Sequence, residues 1–271
     1  MKKTILITGA SRGFGKIWAE AFLKRGDKVA ITARNTDALT PIVQKYGDAV
    51  LALQLDVNNH DEALEVVGRV QKHFGSIDVL INNAGYGLFG AVEETTEQQA
   101  RSLMETNFFG LLWVTQAVLP VMRKQKSGHI IQVSSFLGLV TLPMMGIYNA
   151  SKFAVEGMSE TLATEVAEFG IKISLVEPNG FATEWASGGP RTEPTEAYNS
   201  IKKALKENSN PEMFGNPDAT TSAILNLVDS SNPPLRLLLG KVAYPFVKKV
   251  YEERLASWEE WKEVSRNAHG Y

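Results

Sequence analysis

Residues Thr4-Ile5-Leu6-Ile7-Thr8-Gly9-Ala10-Ser11-Arg12-Gly13-Phe14-Gly15 determine the predicted fold, together with the helix-forming segment 16–24 that follows them. The apolar, β-branched run predicts a buried strand at 4–8, and the three glycines allow a tight turn into the helix. There the free N–H groups and the positive dipole end of the helix attract a pyrophosphate. The spacing Gly-x-x-x-Gly-x-Gly differs from the general Gly-x-Gly-x-x-Gly pattern, so an ordinary strand–helix turn remains an alternative.

Short apolar runs alternate with helix-length segments along almost the whole chain. Strands are predicted at 4–8, 28–33, 50–55, 79–82, 129–134, 172–176 and 235–239. Amphipathic stretches such as 61–74 and 96–123 lie between them. This alternation predicts an α/β fold, a Rossmann-type doubly wound sheet of about seven parallel strands with helices on both faces. No repeat or linker divides the chain, so we predict a single domain over 1–271.

The composition restricts the classes of function. The net charge is −2 with both signs mixed along the chain, so nucleic acid is not an expected partner. Cysteine is absent and the four histidines are scattered, which predicts neither a disulfide nor a metal site. No apolar run reaches the roughly 20 residues that span a bilayer, and the N-terminal run is too short for a signal peptide. We therefore expect a soluble, cytoplasmic protein without a membrane partner.

A tyrosine and a lysine four residues apart form the candidate reaction centre. Tyr148 and Lys152 are one turn apart on a predicted helix, so their side chains share a face. A phenol with its ordinary pKa of about 10 exchanges protons poorly at neutral pH, and a nearby ammonium group lowers that pKa. Ser135 offers a hydroxyl to the same substrate oxygen. Such pairs are common on helices, so the pattern alone leaves a structural role open.

Taken together, five motifs resemble those of the short-chain dehydrogenase/reductase family over nearly the whole chain. They are Thr8-Gly9-x-x-x-Gly13-x-Gly15, Asn82-Asn83-Ala84-Gly85, Asn107, Ser135 and Tyr148-x-x-x-Lys152. The resemblance implies an oxidoreductase that transfers hydride between a nicotinamide dinucleotide and a carbonyl or alcohol group. It also implies a homodimer or homotetramer, formed through the helices that carry Asn107 and Tyr148.

The resemblance implies a role for each member of a catalytic tetrad. Tyr148 would be the general acid in reduction and the base in oxidation, while Lys152 would lower its pKa and bind the nicotinamide ribose. Ser135 would hold the substrate oxygen. Asn107 would anchor a water that connects Lys152 to solvent, and a polar residue at a helix kink is a compatible alternative for that position.

The end of the second predicted strand bears on the choice of cofactor. An NAD site usually has an acidic residue there, but this chain has Ala33 followed by Arg34. Arg12 in the glycine-rich turn is a second cation, and two guanidinium groups suit a 2′-phosphate, although either alone is compatible with solvated surface. Asp37 is interpreted as part of the next helix start, capped by Asn35. We therefore expect NADP(H) to be preferred over NAD(H).

The segment from Glu177 to Thr183 resembles the family motif Pro-Gly-x-x-x-Thr, whose threonine binds the nicotinamide carboxamide. Asn179 stands where glycine is usual; asparagine tolerates left-handed backbone, and Gly180 is expected to share that strain. Asp56 resembles the aspartate near the adenine, with a helix cap as the alternative. The residues expected at the cofactor are Gly9, Ser11, Arg12, Gly13, Phe14, Gly15, Arg34, Asp56, Val57, Asn83, Ala84, Gly85, Tyr148, Lys152, Pro178, Gly180 and Thr183.

Three further segments concern the substrate and the alternatives. Met144 and Met145, with Ser135 and Tyr148, are expected to line a pocket for an apolar ketone or aldehyde. The polar segment 186–215 suits a mobile lid, or else a surface insertion, and a helical extension is predicted over 241–267. Besides an NADPH-dependent reductase, a non-catalytic dinucleotide sensor or scaffold and an epimerase or dehydratase remain open. A sensor or scaffold usually lacks part of the tetrad, and epimerases and dehydratases differ in the spacing of the glycines.

Overall fold

Seven parallel strands form one sheet in the computed structural model, which describes residues 2–208 and 210–270. Met1, Ser209 and Tyr271 lie outside the described residues, although the predicted domain includes all three and the predicted lid includes Ser209. The strands are β1 Thr4–Ile7, β2 Lys28–Ala33, β3 Val50–Gln54, β4 Val79–Asn82, β5 Gly128–Val133, β6 Ile171–Pro178 and β7 Arg236–Leu239. Their order is β3-β2-β1-β4-β5-β6-β7, which confirms the predicted doubly wound parallel sheet.

Helices cover both faces of this sheet because successive strand residues point to opposite sides. Ile5 and Ile7 pack with residues of the first and ninth helices, whereas Leu6 packs with residues of the third and fifth. The helices are α1 Gly13–Arg25, α2 Thr40–Tyr46, α3 His60–Phe74, α4 Glu97–Met104, α5 Leu111–Gln125, α6 Gly146–Glu165, α7 Trp185–Gly188, α8 Asn199–Glu207, α9 Thr220–Asp229, α10 Ala243–Glu260 and α11 Lys262–Asn267. None within the described ranges is long and apolar enough to cross a membrane.

The helix predicted over 96–123 is interrupted. A π-helical turn, Glu105–Gly110, separates α4 from α5 and contains Asn107. A π turn adds one residue to the hydrogen-bonded ring and often occurs at functional sites. The apolar period continues on both sides of it, which is why the sequence predicted one continuous helix.

The sheet order creates a crevice at the carboxyl ends of the strands. β1 and β4 are neighbours, but α1 after β1 packs on one face and α5 after β4 packs on the other. Ligands of open α/β sheets bind at such a switch point. The glycine-rich turn and the residues after β4 therefore meet where a ligand is expected.

One buried histidine makes the stability of the sheet depend on pH. His129 in β5 lies 2.9 Å from Ser174 Oγ, and burial lowers its pKa to about 4. In an unfolded chain the pKa is about 6.5, so acidification protonates the unfolded state first. We expect this residue to remove about 3 kcal/mol from the free energy of unfolding as the pH falls from 7 to 4.

Urea unfolding at a series of pH values tests this expectation. His129→Gln should have a flatter pH dependence than the wild type, and His73→Gln, which changes an exposed histidine, should match the wild type. An unchanged slope in His129→Gln would contradict the assignment.

Candidate active site

A cavity of about 1130 Å³ opens at the crevice. It is lined by the glycine-rich turn, by the ends of five strands and by the segment after β6. Predicted site residues that line it are Gly9, Ser11, Arg12, Gly13, Phe14, Arg34, Asp56, Val57, Asn83, Ala84, Gly85, Ser135, Met145, Tyr148, Lys152, Pro178, Gly180 and Thr183. Gly15, Asn107 and Met144 do not line this cavity.

The glycine-rich turn is held against the end of β4. Gly9 has a φ of +66°, and a Cβ there would lie 2.9 Å from Ala84 Cα. Asn83 Nδ2 donates to Thr8 O and Gly9 O at 3.0 and 2.9 Å, and a Cβ on Gly15 would lie 2.5 Å from the same Nδ2. Gly15 therefore forms the packing behind the turn rather than its surface.

The start of α1 fits an anionic group. Arg12 precedes the helix and makes no capping hydrogen bond with its side chain, so the first N–H groups of α1 are not satisfied by a cap. Uncapped N–H groups at a helix N-terminus attract phosphate. The turn therefore has the shape and the donors that a dinucleotide requires.

The residues near β2 and β3 differ in how they face the cavity. Ala33 and Arg34 line it, whereas Asp37 belongs to the next helical turn, where its N–H donates to Asn35 Oδ1 at 2.9 Å as predicted. Asp56 lines the cavity and also accepts from the N–H of Asn58 at 3.1 Å. No acidic side chain at the end of β2 meets the cavity.

Arg12 has a partner in the segment after β6. Its Nη1 lies 3.3 Å from Glu184 Oε2, and both side chains are exposed. Exposed ion pairs contribute little to stability, so a ligand anion competes readily for this guanidinium. Arg12 and Arg34 line the same cavity, but Arg12 is turned towards Glu184.

Ser135, Tyr148 and Lys152 converge on the inner end of the cavity. Tyr148 and Lys152 are buried on one face of α6, with Lys152 Nζ 5.9 Å from the centre of the Tyr148 ring. Lys152 Nζ donates to Val133 O at 2.8 Å. Ser135 Oγ accepts from the N–H of Leu137 at 3.1 Å and donates to Pro178 O at 3.4 Å, and its hydroxyl favours the phenolate form of Tyr148. The Ser135 and Tyr148 hydroxyls can address one substrate oxygen, with the Lys152 ammonium group beside the Tyr148 ring.

The pKa of Tyr148 differs from the prediction. Burial raises the pKa of the Tyr148 phenol, and its hydrogen bond to Ser135 offsets only part of that effect. The predicted lowering rested on Lys152 alone and did not include burial, which disfavours the phenolate. Burial also lowers the pKa of Lys152 to about 8, and the nearby charge of Glu156 opposes part of this shift. At neutral pH the site thus holds a protonated phenol beside a mostly cationic lysine.

Asn107 lies behind the cavity wall. Its Oδ1 accepts from the N–H of Tyr86 at 3.0 Å, and its Nδ2 donates to Tyr86 O and Ser151 Oγ at 2.9 and 3.2 Å. A Cβ on Gly85 would lie 3.1 Å from Asn107 Oδ1 and 3.9 Å from Lys152 Nζ. Gly85 therefore leaves room between the amide and the ammonium group.

Two buried carboxyl groups lie behind Lys152. Glu156 is one turn further along α6, and Glu177 is on β6. Arg236 Nε lies 3.0 Å from Glu156 Oε2 and 3.5 Å from Glu177 Oε1. Burial raises the pKa of both groups, and burial with the charge of Glu156 raises the pKa of Glu177 to about 9. Glu177 therefore keeps its proton at neutral pH, while the charge of Glu156 favours the ammonium form of Lys152.

This arrangement predicts the alkaline limb of the pH–rate profile. Lys152 loses its proton as the pH rises through about 8, so activity should fall above that pH. Glu156→Gln removes the negative charge that supports the ammonium form and should move the limb about one unit lower. Measurement of kcat/KM against pH tests this. Glu160→Gln is the matched control, because Glu160 pairs with the same Arg236 at 2.8 Å but is exposed. Equal profiles for both variants would contradict the prediction.

The backbone after β6 differs from the prediction. Among the described residues, positive φ angles do not include Asn179 or Gly180, so neither adopts the expected left-handed conformation. Asn179 Nδ2 instead donates to Gly180 O and Met213 O at 2.7 and 3.2 Å. A Cβ on Gly240 would overlap Asn179 Oδ1. The asparagine side chain thus fills space beside β7 and connects the turn to residue 213.

The segment predicted as a lid is attached to the loop after β4 through Glu94. The buried carboxylate accepts from Thr192 Oγ1 at 3.1 Å, from the N–H of Thr195 at 2.7 Å and from Lys202 Nζ at 2.6 Å. Lys202, with the N–H groups of Thr195 and Ala91, holds the pKa of Glu94 down at about 2. Residues 188–190, 205 and 214 of the segment line the cavity.

A second cavity of about 490 Å³, called the side chamber here, lies next to the main cavity. Four residues line both spaces: Phe89, Leu142, Met145 and Leu205. Met144 lines the side chamber but not the main cavity. Met144 has a φ of +63°, a strained value for a non-glycine residue of the kind that occurs near functional sites. Of the two predicted methionines, Met145 thus borders both the main cavity and the side chamber, whereas Met144 borders the side chamber only.

Several aromatic residues that line the cavity were not predicted, among them three that lie near Tyr148. The Trp185 ring lies 5.1 Å from the Tyr148 ring and 5.6 Å from the Phe89 ring, and Tyr86 lines the cavity beside them. Tyr86 directly follows the Asn-Asn-Ala-Gly motif, Phe89 is four residues after its last glycine, and Trp185 is two residues after Thr183. This closeness to motif residues was the signal that could have identified them.

Comparison with known proteins gives consistent similarities. The family model described as short chain dehydrogenase matches residues 3–193. An oxidoreductase of Botryotinia fuckeliana is 41% identical over 271 residues, covering 98% of this chain and 98% of that protein. A 3-ketodihydrosphingosine reductase of Bacteroides thetaiotaomicron is 42% identical over 241 residues, covering 87% of each.

Solved structures with the same fold include cofactor complexes. A short-chain dehydrogenase from Streptomyces avermitilis has a TM-score of 0.90 at 39% identity, covering 98% of both chains. A Thermococcus sibiricus alcohol dehydrogenase complexed with 5-hydroxy-NADP has a TM-score of 0.76 at 25% identity, covering 90% of this chain and 98% of that one. A Burkholderia phymatum short chain dehydrogenase/reductase in complex with NAD has a TM-score of 0.82 at 26% identity, covering 94% and 95%.

Proposed function

The chain belongs to the short-chain dehydrogenase family and is an oxidoreductase, and we propose that it reduces an apolar ketone or aldehyde with NADPH. The reverse reaction oxidises the corresponding alcohol. The observation that carries the proposal is the convergence of Ser135, Tyr148 and Lys152 at the inner end of a cavity whose outer part is the glycine-rich turn. A sensor without turnover needs no such convergence.

The protein's part in the reaction is to position groups and transfer a proton. The bound nicotinamide supplies the hydride. Ser135 and Tyr148 bind the carbonyl oxygen, and Tyr148 gives it a proton as negative charge develops there. The raised pKa of Tyr148 keeps that proton in place at neutral pH until it is needed. The Lys152 cation stabilises the phenolate that remains.

Asn107 is proposed to help replace the proton that Tyr148 gives to the substrate. Its Oδ1 and the Lys152 Nζ both lie beside Gly85, which has no side chain to separate them. A water held there would connect Lys152 to the solvent side of the cavity. The role is one of positioning, since Asn107 itself does not border the cavity.

Similar structures hold either an NADP analogue or NAD, which supports a nicotinamide dinucleotide as the cofactor. The preference for NADPH rests on this chain's own residues. Arg34 lines the cavity directly after Ala33, at the place where an acidic residue would repel a 2′-phosphate. Arg12 of the glycine-rich turn lines the same cavity. Guanidinium groups bind phosphate through paired, charge-assisted hydrogen bonds.

The substrate is proposed to be apolar and elongated. The side chamber adds space lined by Met144, Met145 and Leu142 beyond the reaction centre. The relative named 3-ketodihydrosphingosine reductase is consistent with a keto substrate. Residues 186–215 are proposed to act as the lid of this space, and assembly is proposed to use α5 and α6, where Phe109 in the preceding π turn and Phe153 are exposed.

Loss of nicotinamide absorbance tests the proposal. NADPH and NADH are compared with methyl ketones and aldehydes of increasing chain length. We expect faster turnover with NADPH and a kcat/KM that rises with chain length until the chamber is filled. Faster turnover with NADH would contradict the cofactor preference alone. Tight NADPH binding by calorimetry without any turnover would favour the sensor alternative.

A further inference from the structure

The C-terminal helix leaves the body of the protein partway along its length. Its first turns pack on the domain, with Ala243 and Val247 buried and the Phe246 ring 6.0 Å from Phe136. Arg254 makes the last contact described, donating to Leu139 O at 2.7 Å. Every described residue from 255 to 270 is exposed. A projecting helix of this length is only marginally stable in water without packing.

The exposed part carries large apolar side chains on one strip. Tyr251, Leu255 and Trp258 are 42%, 59% and 67% exposed. Their spacing of four and three residues places them on one side of the helix, and Lys248 extends the strip three residues earlier. Exposed apolar strips of this kind mark contact surfaces. Ala256 is exposed on the other side and does not belong to the strip.

The pattern of the strip is complementary to itself in one direction. In an antiparallel pair of these helices, Lys248 of each copy faces Trp258 of the other, and Tyr251 faces Leu255. An ammonium group over an indole ring is a favourable cation–π contact. A parallel pair would instead place Lys248 against Lys248, where like charges repel. Both directions allow the two-fold symmetry that most homodimers use, so the positions of the lysine and the tryptophan favour the antiparallel one.

We propose that the strip formed by Lys248, Tyr251, Leu255 and Trp258 binds a second copy of this chain in an antiparallel helix pair. The charge of the same segment argues against a membrane surface. Residues 252–263 contain five glutamates, at 252, 253, 259, 260 and 263, which an anionic lipid surface repels. Two tryptophans, at 258 and 261, supply the kind of residue that dominates interface energetics.

Sedimentation of the full chain tests the proposal. Leu255→Glu buries a carboxylate in the contact and should halve the mass of the wild-type particle at about 10 µM, where wild type stays assembled. Ala256→Glu adds the same charge one residue away and should leave the mass unchanged. Lys248→Arg should retain assembly and Lys248→Glu should weaken it at least tenfold. Equal masses for Leu255→Glu, Ala256→Glu and wild type would overturn the proposal.

Cross-linking tests the direction of the pair. The chain has no cysteine, so introduced thiols give an unambiguous product. A mixture of Tyr251→Cys and Leu255→Cys variants should form mainly the mixed disulfide, whereas mainly 251–251 and 255–255 products would overturn the antiparallel arrangement. A wild-type monomer that binds anionic vesicles through Trp258 would also overturn the proposal, in favour of a membrane partner.

Discussion

Tyr148→Phe is expected to lower kcat for carbonyl reduction by about 10³-fold, because a positioned general acid contributes roughly that factor. The ring stays in place against Trp185, with which it packs at 5.1 Å, so only the hydroxyl is lost. NADPH binding should be nearly unchanged, since the nicotinamide pocket keeps its shape. Steady-state kinetics and calorimetric titration of NADPH measure the two effects separately.

The control for this variant is Tyr46→Phe. Tyr46 is the last residue of α2, packs against the core and is not among the residues that line the cavity, so removal of its hydroxyl should leave kcat unchanged. A Tyr148→Phe variant that kept more than a tenth of wild-type activity would show that another group supplies the proton. Loss of activity in both variants would indicate damage to the fold.

Arg34→Ala is expected to raise KM for NADPH by about 10- to 100-fold and to leave KM for NADH within about twofold. A hydrogen bond to a charged group contributes about 1.5–3 kcal/mol, and only NADPH carries the 2′-phosphate. Arg12→Ala should have a slightly smaller effect, because a bound 2′-phosphate has to replace the weak, exposed ion pair of Arg12 with Glu184 at 3.3 Å. Kinetics with both cofactors at a fixed, saturating carbonyl concentration give the ratio.

Arg69→Ala provides the matched control for the charge. Arg69 is exposed on α3 and pairs with Glu65, outside the cavity. It removes the same net charge as Arg34→Ala without touching the site. If Arg34→Ala raised both KM values equally, the guanidinium would be recognising a part that the two cofactors share, and the basis for NADPH preference would fail.

The sheet and the family were accessible from sequence because their signals are local. Each strand is visible in the sequence as a short apolar run, and three glycines follow the first run at the spacing that the family uses, at positions 9, 13 and 15. Tyr148 and Lys152 likewise need only helical spacing to be placed on one face. Family membership, the seven parallel strands and the oxidoreductase class were predicted on that basis and are confirmed.

What could not be predicted depends on contacts between distant segments. Burial sets the direction of the Tyr148 pKa, and burial follows from packing around the phenol rather than from the four-residue spacing to Lys152. The Asn179 side chain occupies the space beside Gly240, which follows β7 more than 50 residues later in the chain. The role of Glu94 needs Thr192 and Lys202 brought beside it. None of these pairs is visible as a pattern along the chain.

The π turn at Glu105–Gly110 has a consequence for evolution and for protein design. Such a turn amounts to one extra residue accommodated inside an otherwise continuous helix, and it carries Asn107. Deletion of one residue there would restore a regular helix with better backbone geometry. Because the extra residue is absorbed within the turn, α4 and α5 would keep their buried faces, but Asn107 inside the turn would rotate by up to about 100° away from Tyr86 and Ser151. A design method that favours ideal helices would therefore remove the hydrogen bonds that Asn107 makes with Tyr86 and Ser151.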